Sequence, residues 1–216
     1  MNIIKKHYQQ KASYYGMPLS RMNKILELMG KNLKGKRVLD VGCSTGYFGR
    51  EIEKYSAKVT GVDISEPAIK KAKKILSAAV SVDLNEQKLP FKSKSFDIVV
   101  ASELIEHLFR PTIFIKEANR VLKNDGNLIV TTPNLLYWAN RLKFLLGNFN
   151  YEKEGVFDEG HIHFYTFKTL KEDLRESGFS ISNMNNLYPA KWATSVRNLF
   201  PGLFAYQFVI EAKKKV

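Results

Sequence analysis

The chain holds a single cysteine, Cys43, and too few acidic side chains to balance its basic ones, 21 Asp and Glu against 34 Lys and Arg. One thiol excludes an internal disulfide and a zinc site built from clustered cysteines, and it suits a reducing compartment. Long apolar runs are also missing: the longest, near residues 96–101 and 204–210, fall far short of the roughly 20 residues that a membrane-spanning helix needs. Lys5 and Lys6 are followed by His7, Tyr8 and Gln9 rather than by an apolar segment, so no secretory signal is expected. A cytoplasmic protein is the expectation, with peripheral contact at the inner membrane face as an option. No repeat or low-complexity segment is present, and oligomeric state is not legible.

What is present begins with charge. The formal net charge is +13, and nearly all of it is terminal: residues 1–37 carry +8, residues 187–216 carry +4, and everything between carries only +1. Such ends can attract a phosphate-bearing substrate, an anionic membrane surface or nucleic acid. A solvated, Lys-rich periphery that aids solubility accounts for them equally well. With 216 residues, 44% of them hydrophobic, the chain can bury one full core, and a single domain is expected.

Hydrophobic periodicity predicts an amphipathic helix over 19–32, with Leu19, Met22, Ile25, Leu26 and Met29 on one face and Gly30 near its stop. Short, β-branched-rich segments at 37–41, 58–63, 78–83, 96–101 and 127–131 read as buried parallel strands. Helical stretches at 46–55, 66–77 and 111–122 separate them, and Pro67 and Pro111 suit a first helical turn. This alternation implies βαβ units in a doubly wound α/β sheet. Residues 133–165 break the pattern, being rich in aromatics, Asn and Gly. A helix over 166–177 ends at Gly178, and segments 179–184 and 204–212 read as closing strands.

The sharpest feature is the run Val38-Leu-Asp-Val-Gly-Cys-Ser-Thr-Gly46, a buried strand leading into a glycine turn and then a helix. Gly42 and Gly46 permit a tight turn and close approach of a ligand to backbone. Asp63 ends the next strand, where a carboxylate can accept both ribose hydroxyls of an adenosine. Asp83 ends the third, where it can accept an exocyclic amine while the Leu84 backbone reads the ring edge. A dinucleotide loop has Gly-x-Gly-x-x-Gly to seat a pyrophosphate; here Ser44 replaces the second glycine, which argues against a nicotinamide-dependent oxidoreductase. A cationic ligand suits the acidic strand end at Asp40 better.

Together with Val62-Asp-Ile-Ser65, Leu89-Pro-Phe91, Ser95-Phe-Asp-Ile-Val-Val100, Glu103-Leu-Ile-Glu-His-Leu108 and Ala118-Asn-Arg-Val-Leu-Lys123, this run resembles the class I S-adenosylmethionine-dependent methyltransferases, of the small-molecule or glycan O-methyltransferase type. The resemblance is most specific over 38–132 and looser to the end. It implies a Rossmann-like seven-stranded sheet of order 3-2-1-4-5-7-6 with the last strand antiparallel, S-adenosylmethionine as cofactor and S-adenosylhomocysteine as product. Carried over, Asp40 and Gly42 hold the methionine part, Asp63 the ribose, and Asp83 with Leu84 the adenine. Cys43, Gly46, Ile64 and Ser102 complete the predicted cofactor-binding set. Tyr8, Tyr14 and Tyr15 look like a lid segment, or else a surface aromatic cluster. On this reading residues 1–35 form an N-terminal helical lid, 36–132 the cofactor-binding core, 133–165 a substrate-covering insertion, and 166–216 the closing helix and strands.

Methyl transfer from a sulfonium is an in-line displacement, so the protein aligns the acceptor and, for a hydroxyl, removes its proton. Glu103, Glu106 and His107 follow the fourth strand, and on a helix their spacing puts them on one face. His161 and His163 lie in a later Gly160-His-Ile-His-Phe-Tyr-Thr166 segment. His107 and His161 are the candidate bases, with Glu106 beside them. The set Glu103, Glu106, His107 and His161 is also similar to the divalent-metal ligands of small-RNA 3′-end 2′-O-methyltransferases and, in part, of ubiquinone-pathway O-methyltransferases. Such mixed ligands suit magnesium, manganese or zinc. Many relatives carry the Glu-His-Leu end without a metal, and the metal-free reading is the one taken. The segment around residues 160–179 is similar to methyltransferases of surface-glycan and lipid-linked sugar pathways, so a small-molecule, sugar or lipid-linked acceptor is expected. RNA is the runner-up acceptor, and a non-catalytic S-adenosylmethionine-binding module is the remaining alternative. Tyr137, Trp138, Phe144, Phe149, Tyr151, Phe157, Phe164 and Trp192 can stack on an acceptor ring, although packing is expected for most.

Overall fold

The computed structural model describes residues 17–152, 155–188 and 199–215. Tyr8, Tyr14, Tyr15 and Trp192 lie outside the described residues. In chain order the elements are α1 (Leu19–Met29), β1 (Arg37–Val41), α2 (Tyr47–Glu53), β2 (Lys58–Asp63), α3 (Glu66–Ala72), β3 (Ala78–Ser81), β4 (Phe96–Ser102), a 3₁₀ turn (Ile105–His107), α4 (Pro111–Val121), β5 (Leu122–Pro133), α5 (Trp138–Leu145), α6 (Phe167–Glu176), β6 (Phe179–Met184), α7 (Pro201–Phe204) and β7 (Gln207–Lys214). The strands form one sheet of order β3-β2-β1-β4-β5-β7-β6. β1 to β5 pair in parallel, while β7 runs antiparallel to both β5 and β6. The expected order and the reversed last strand are both present.

Both faces of this sheet are covered, which is why its central strands are apolar without a break. Successive side chains point to opposite faces. Leu39, Val99, Leu128, Val130, Phe208 and Ile210 therefore pack with α4 and α6 on one side. Val38, Ile98, Val100, Ile129 and Val209 pack with α1, α2 and α3 on the other. Each fully buried side chain of this kind contributes about 1.5–3 kcal/mol. α1 is part of that second layer: Met22, Ile25, Leu28 and Met29 are buried, whereas Leu19, expected on the same face, is 65% exposed.

Several boundaries differ from the periodicity. β3 stops at Ser81 because Val82 N–H makes the last bond to the Asp63 carbonyl and Asp83 then turns the chain with its own carboxylate, which accepts from Asn85 N–H at 3.0 Å. Phe204 lies in α7, whose first turn opens with Pro201, and not in β7; that strand begins at Gln207, opposite Pro133. β5 starts at Leu122, opposite Phe96. In 133–165 the described residues hold one helix, α5, and an aromatic cluster in which Phe157 meets Phe149 at 5.1 Å and Phe144 at 5.7 Å.

Gly61, in the middle of β2, shows how tightly the cofactor-side layer is packed. A Cβ there would stand 2.7 Å from Cys43 Sγ and 2.9 Å from Leu76 Cδ1. Gly61→Ala is expected to destabilise the fold by about 1–3 kcal/mol through overpacking, read as a lower urea midpoint at unchanged slope.

Candidate functional site

A cavity of about 540 Å³ lies where the carboxyl ends of β1 to β5 converge, a volume typical of small-ligand sites. Its first wall is the loop between β1 and α2. Gly42, with φ +79°, and Gly46, with φ +85°, adopt left-handed backbone that other residues reach only at a cost. The Gly42 and Cys43 amides both donate to the Val62 carbonyl, at 2.7 and 3.0 Å, so the loop is tied to the end of β2. Asp63 fastens it further: its Oδ2 accepts from Ser44 N–H and its Oδ1 from Ser65 N–H, both at 2.8 Å. Ser65 in turn caps α3. Each Asp63 oxygen keeps lone-pair capacity on the cavity side.

Asp40 is buried, and its Oδ2 has no hydrogen-bond partner. Burial pushes its carboxyl up to about 7; the nearby Asp63 charge adds to the rise, and a backbone donor at Gly49 opposes it. Burial raises Asp63 as well, against the pull of its backbone donors. Burial and the same two acids push the Cys43 thiol up, so it stays protonated and is no nucleophile.

The far wall departs from the helical face expected of Glu103, Glu106 and His107. β4 ends at Ser102, Glu103 takes left-handed backbone with φ +50°, and only the short 3₁₀ turn follows. Glu103 is thereby turned away from the other two. Its carboxylate accepts from the Thr131 hydroxyl at 2.8 Å and pairs with Arg21 at 3.3 Å, while Arg21 Nε donates to Gln207 Oε1 at 3.1 Å. Glu106, His107 and His161 do meet, with one ligand atom of each within 4.8 Å of the others. The His107 and His161 rings lie 4.7 Å apart.

The Glu106 backbone carbonyl accepts from Ile162 and His163 N–H, at 2.9 and 3.0 Å, which brings residues 160–163 beside the turn. His107 Nδ1–H donates to the Gly160 carbonyl and His161 Nδ1–H to the Val156 carbonyl, both at 2.9 Å. A carbonyl can only accept, so in its neutral form each imidazole carries its lone pair on Nε2. The Glu106 carboxyl is buried, and neither oxygen has a hydrogen-bond partner of ordinary geometry. Desolvation, reinforced by Glu103, holds its pKa well above the usual carboxylate range, with the Thr132 hydroxyl opposing weakly.

Of the predicted site residues, Asp40, Gly42, Cys43, Asp63, Ile64, Asp83, Leu84, Ser102, His107 and His161 line the cavity, as does Glu103. Gly46 does not: a Cβ there would meet Leu76 and Ala72 at 3.1–3.2 Å, so its role is the turn and the packing behind it. Glu106 is likewise behind the wall. None of the described aromatics of 137–164 faces the cavity; Tyr47, Phe48 and Tyr206 do. The sequence reading also missed Arg21, Asn85 and Gln207. Arg21 had one signal: it stands four and seven residues before the buried Ile25 and Leu28 of α1, and so on the inward face.

The donor set fits S-adenosylmethionine. The unpartnered, buried Asp40 oxygen on the wall suits a cationic amine, and Asp63 suits vicinal hydroxyls.

The sequence model of the methyltransferase domain family matches residues 9–183. An uncharacterised protein of Methanocaldococcus jannaschii is 33% identical over 198 residues, spanning 82% of this chain and 76% of that one. The mitochondrial ubiquinone biosynthesis O-methyltransferase of Bos taurus is 30% identical over 167 residues, 72% of this chain and 44% of that protein; the chain thus spans less than half the length of that relative. The solved S-adenosylmethionine-dependent methyltransferase of Mesorhizobium loti superposes with a TM-score of 0.67 at 19% identity, covering 90% of this chain and 98% of that one. With a glycine loop, acidic strand ends and sheet order of this kind, the chain belongs to the class I S-adenosylmethionine-dependent methyltransferases.

Proposed function

We propose that this methyltransferase methylates a hydroxyl of a small-molecule, sugar or lipid-linked acceptor, with a cavity-wall histidine as the base. The observation that carries the reading is the pair His107 and His161, each held by a carbonyl at Nδ1, on the same cavity wall system as the Gly42–Asp63 loop. S-adenosylmethionine supplies the methyl group as an electrophile on a sulfonium. Asp63 binds the ribose hydroxyls, Asp83 and the Leu84 backbone the adenine, and Asp40 the methionine ammonium. The histidine Nε2 takes the acceptor's hydroxyl proton as its oxygen attacks in line. The ubiquinone O-methyltransferase relatives support an oxygen acceptor. Tritiated methyl transfer into fractionated cell extract tests the reading: label in a hydroxyl-derived ether of a small molecule or lipid fraction is expected, and label confined to amines or carbon would overturn it.

The Asp40 pKa gives a pH test. An acid with a pKa near 7 in the free folded protein and near 3.8 unfolded binds more protons folded than unfolded between those values. Its contribution to stability therefore falls as pH rises through that window. A bound ammonium reverses the penalty on the ionised form. The thermal upshift caused by S-adenosylhomocysteine is expected to grow from pH 6 to pH 8 in the native protein (about one unit either side of the Asp40 value). Asp40→Asn should abolish that growth.

The meeting of Glu106, His107 and His161 ligand atoms within 4.8 Å favours a second reading, in which these three residues hold a divalent ion that lowers the pKa of the acceptor hydroxyl. Glu103, engaged with Arg21, is then outside the ligand set. Dialysis against a chelator, with metal analysis of the protein, separates the two: turnover unchanged in metal-free protein supports the histidine base.

A further inference from the structure

The charge that the sequence carries toward its two ends gathers on one surface of the folded chain. The amino ends of β2, β1, β4 and β5 and the carboxyl end of β7 lie side by side, and they form the rim opposite the cavity. In residues 31–37, 58, 92–97, 122–127 and 211–215 this rim holds eleven Lys and Arg against three acids, Asp97, Asp125 and Glu211, a net +8 of the chain's +13. Among the described residues only two of those cations pair with a carboxylate: Lys123 at 2.9 Å and Lys36 at 3.8 Å, both with Asp97. Lys34, Lys58, Lys92, Lys94, Lys213 and Lys215 are exposed. Lys214 donates to the Asn119 and Leu122 carbonyls at 2.8 and 3.1 Å, and desolvation, reinforced by the Lys94 charge, lowers its pKa. Cations are crowded here beyond what the local acids neutralise.

We propose that this rim docks the protein on the phosphate backbone of double-helical nucleic acid. Across its five strands the rim extends about 19 Å, four strand spacings. A small anion reaches only a few of the cations, whereas a phosphodiester backbone engages them together. None of the exposed large apolar side chains of the described residues falls in these segments. Insertion into a lipid headgroup layer needs such side chains, and a protein partner needs an apolar interface core, from which lysine is depleted. A second copy is opposed by like charge. Interfaces that are strongly positive and polar are those made with nucleic acid. Tyr55, 44% exposed in the turn before β2, is the one exposed aromatic beside the rim among the described residues. One ring is too little to stack the bases of a single strand, which selects a duplex held by its backbone. The length of β4 separates the rim from the cavity by about 20 Å, so docking leaves the cavity open and does not rest on the acceptor reading.

The test is fluorescence anisotropy of the full chain with duplexes of about 20 base pairs, one of RNA and one of DNA. Both should bind at low salt whatever their sequence, with log K falling against log salt at a slope of about −3 to −5, as for roughly four or five phosphates neutralised. Lys92→Glu, Lys213→Glu and Lys215→Glu together should weaken binding at least about tenfold and flatten the slope by about two to three. Unchanged S-adenosylhomocysteine affinity certifies the fold of that variant. Lys116→Glu, Lys168→Glu and Lys171→Glu change the net charge equally but lie on α4 and α6, and this control should weaken binding far less. No binding to either duplex would overturn the proposal, as would equal losses in the two triple variants, since net charge alone would then suffice. So would phosphatidylglycerol vesicles that bind the chain more tightly than the duplexes and release it on the same rim substitutions, which would make a lipid surface the occupant.

Discussion

Asp63→Ala is expected to weaken S-adenosylhomocysteine binding by roughly 10²- to 10⁴-fold, from two charge-assisted hydrogen bonds at about 1.5–3 kcal/mol each. The carboxylate does two jobs. It accepts from the Ser44 and Ser65 amides and so fixes the loop after β1 to the turn after β2, and it is the acceptor proposed for the ribose hydroxyls. The alanine variant leaves both amides without their partner as well as removing the ligand contact. Asp63→Asn keeps one acceptor oxygen and should lose less. Isothermal calorimetry measures the effect, with circular dichroism to confirm that the sheet persists. A dissociation constant for the alanine variant close to that of the native protein would remove the ribose assignment and with it the placement of the cofactor.

Replacing the base should cut turnover about as deeply without touching the cofactor. General-base removal costs about 10²–10⁴-fold in kcat, and the S-adenosylhomocysteine dissociation constant should stay put. His107 and His161 stand 4.7 Å apart, so their effects will be coupled: the base itself should lose the acidic limb of its pH–rate profile, and its neighbour, acting through it, should keep that limb and lose less. Measuring both single variants and the double variant resolves which is which. If both single alanine variants turned over the native acceptor at the native rate, no histidine base could be at work here. Glu106→Gln is the companion measurement. Burial disfavours the charged form of Glu106 and the histidine reading gives its carboxyl no proton to move, so there the amide should be nearly silent, whereas on the metal reading it should lose the ion.

The cofactor half of the cavity was legible in the chain because its determinants are local. A glycine turn directly after a buried strand, and an acid closing each of three strands, specify positions within a few residues of where the side chains act. Register does the rest, since a parallel pair aligns Asp40 with Gly61 and Asp63 with Ser81. The acceptor half was less legible. The spacing of Glu103, Glu106 and His107 predicted one helical face, but a single left-handed residue at Glu103 sent its carboxylate to Thr131 and Arg21 instead. Backbone strain of that sort follows from how β4 meets β5, which no local pattern encodes. For most of the aromatics of 137–164 packing was expected, and Phe157 is indeed drawn under Phe144 and Phe149.

The order of apolar and acidic segments alone determined that this chain would wind a parallel sheet with an adenosine-type pocket at its carboxyl rim. Such information is carried by period and by neighbours in the chain, and hydrophobic burial converts it into layers. Tertiary structure decided what period cannot: that Arg21 meets both Gln207, 186 positions away, and Glu103; that His161 reaches His107; and that α5 turns its apolar side to solvent. Each of these depends on the approach of distant segments, and so on the sum of all the packing rather than on any one stretch of it.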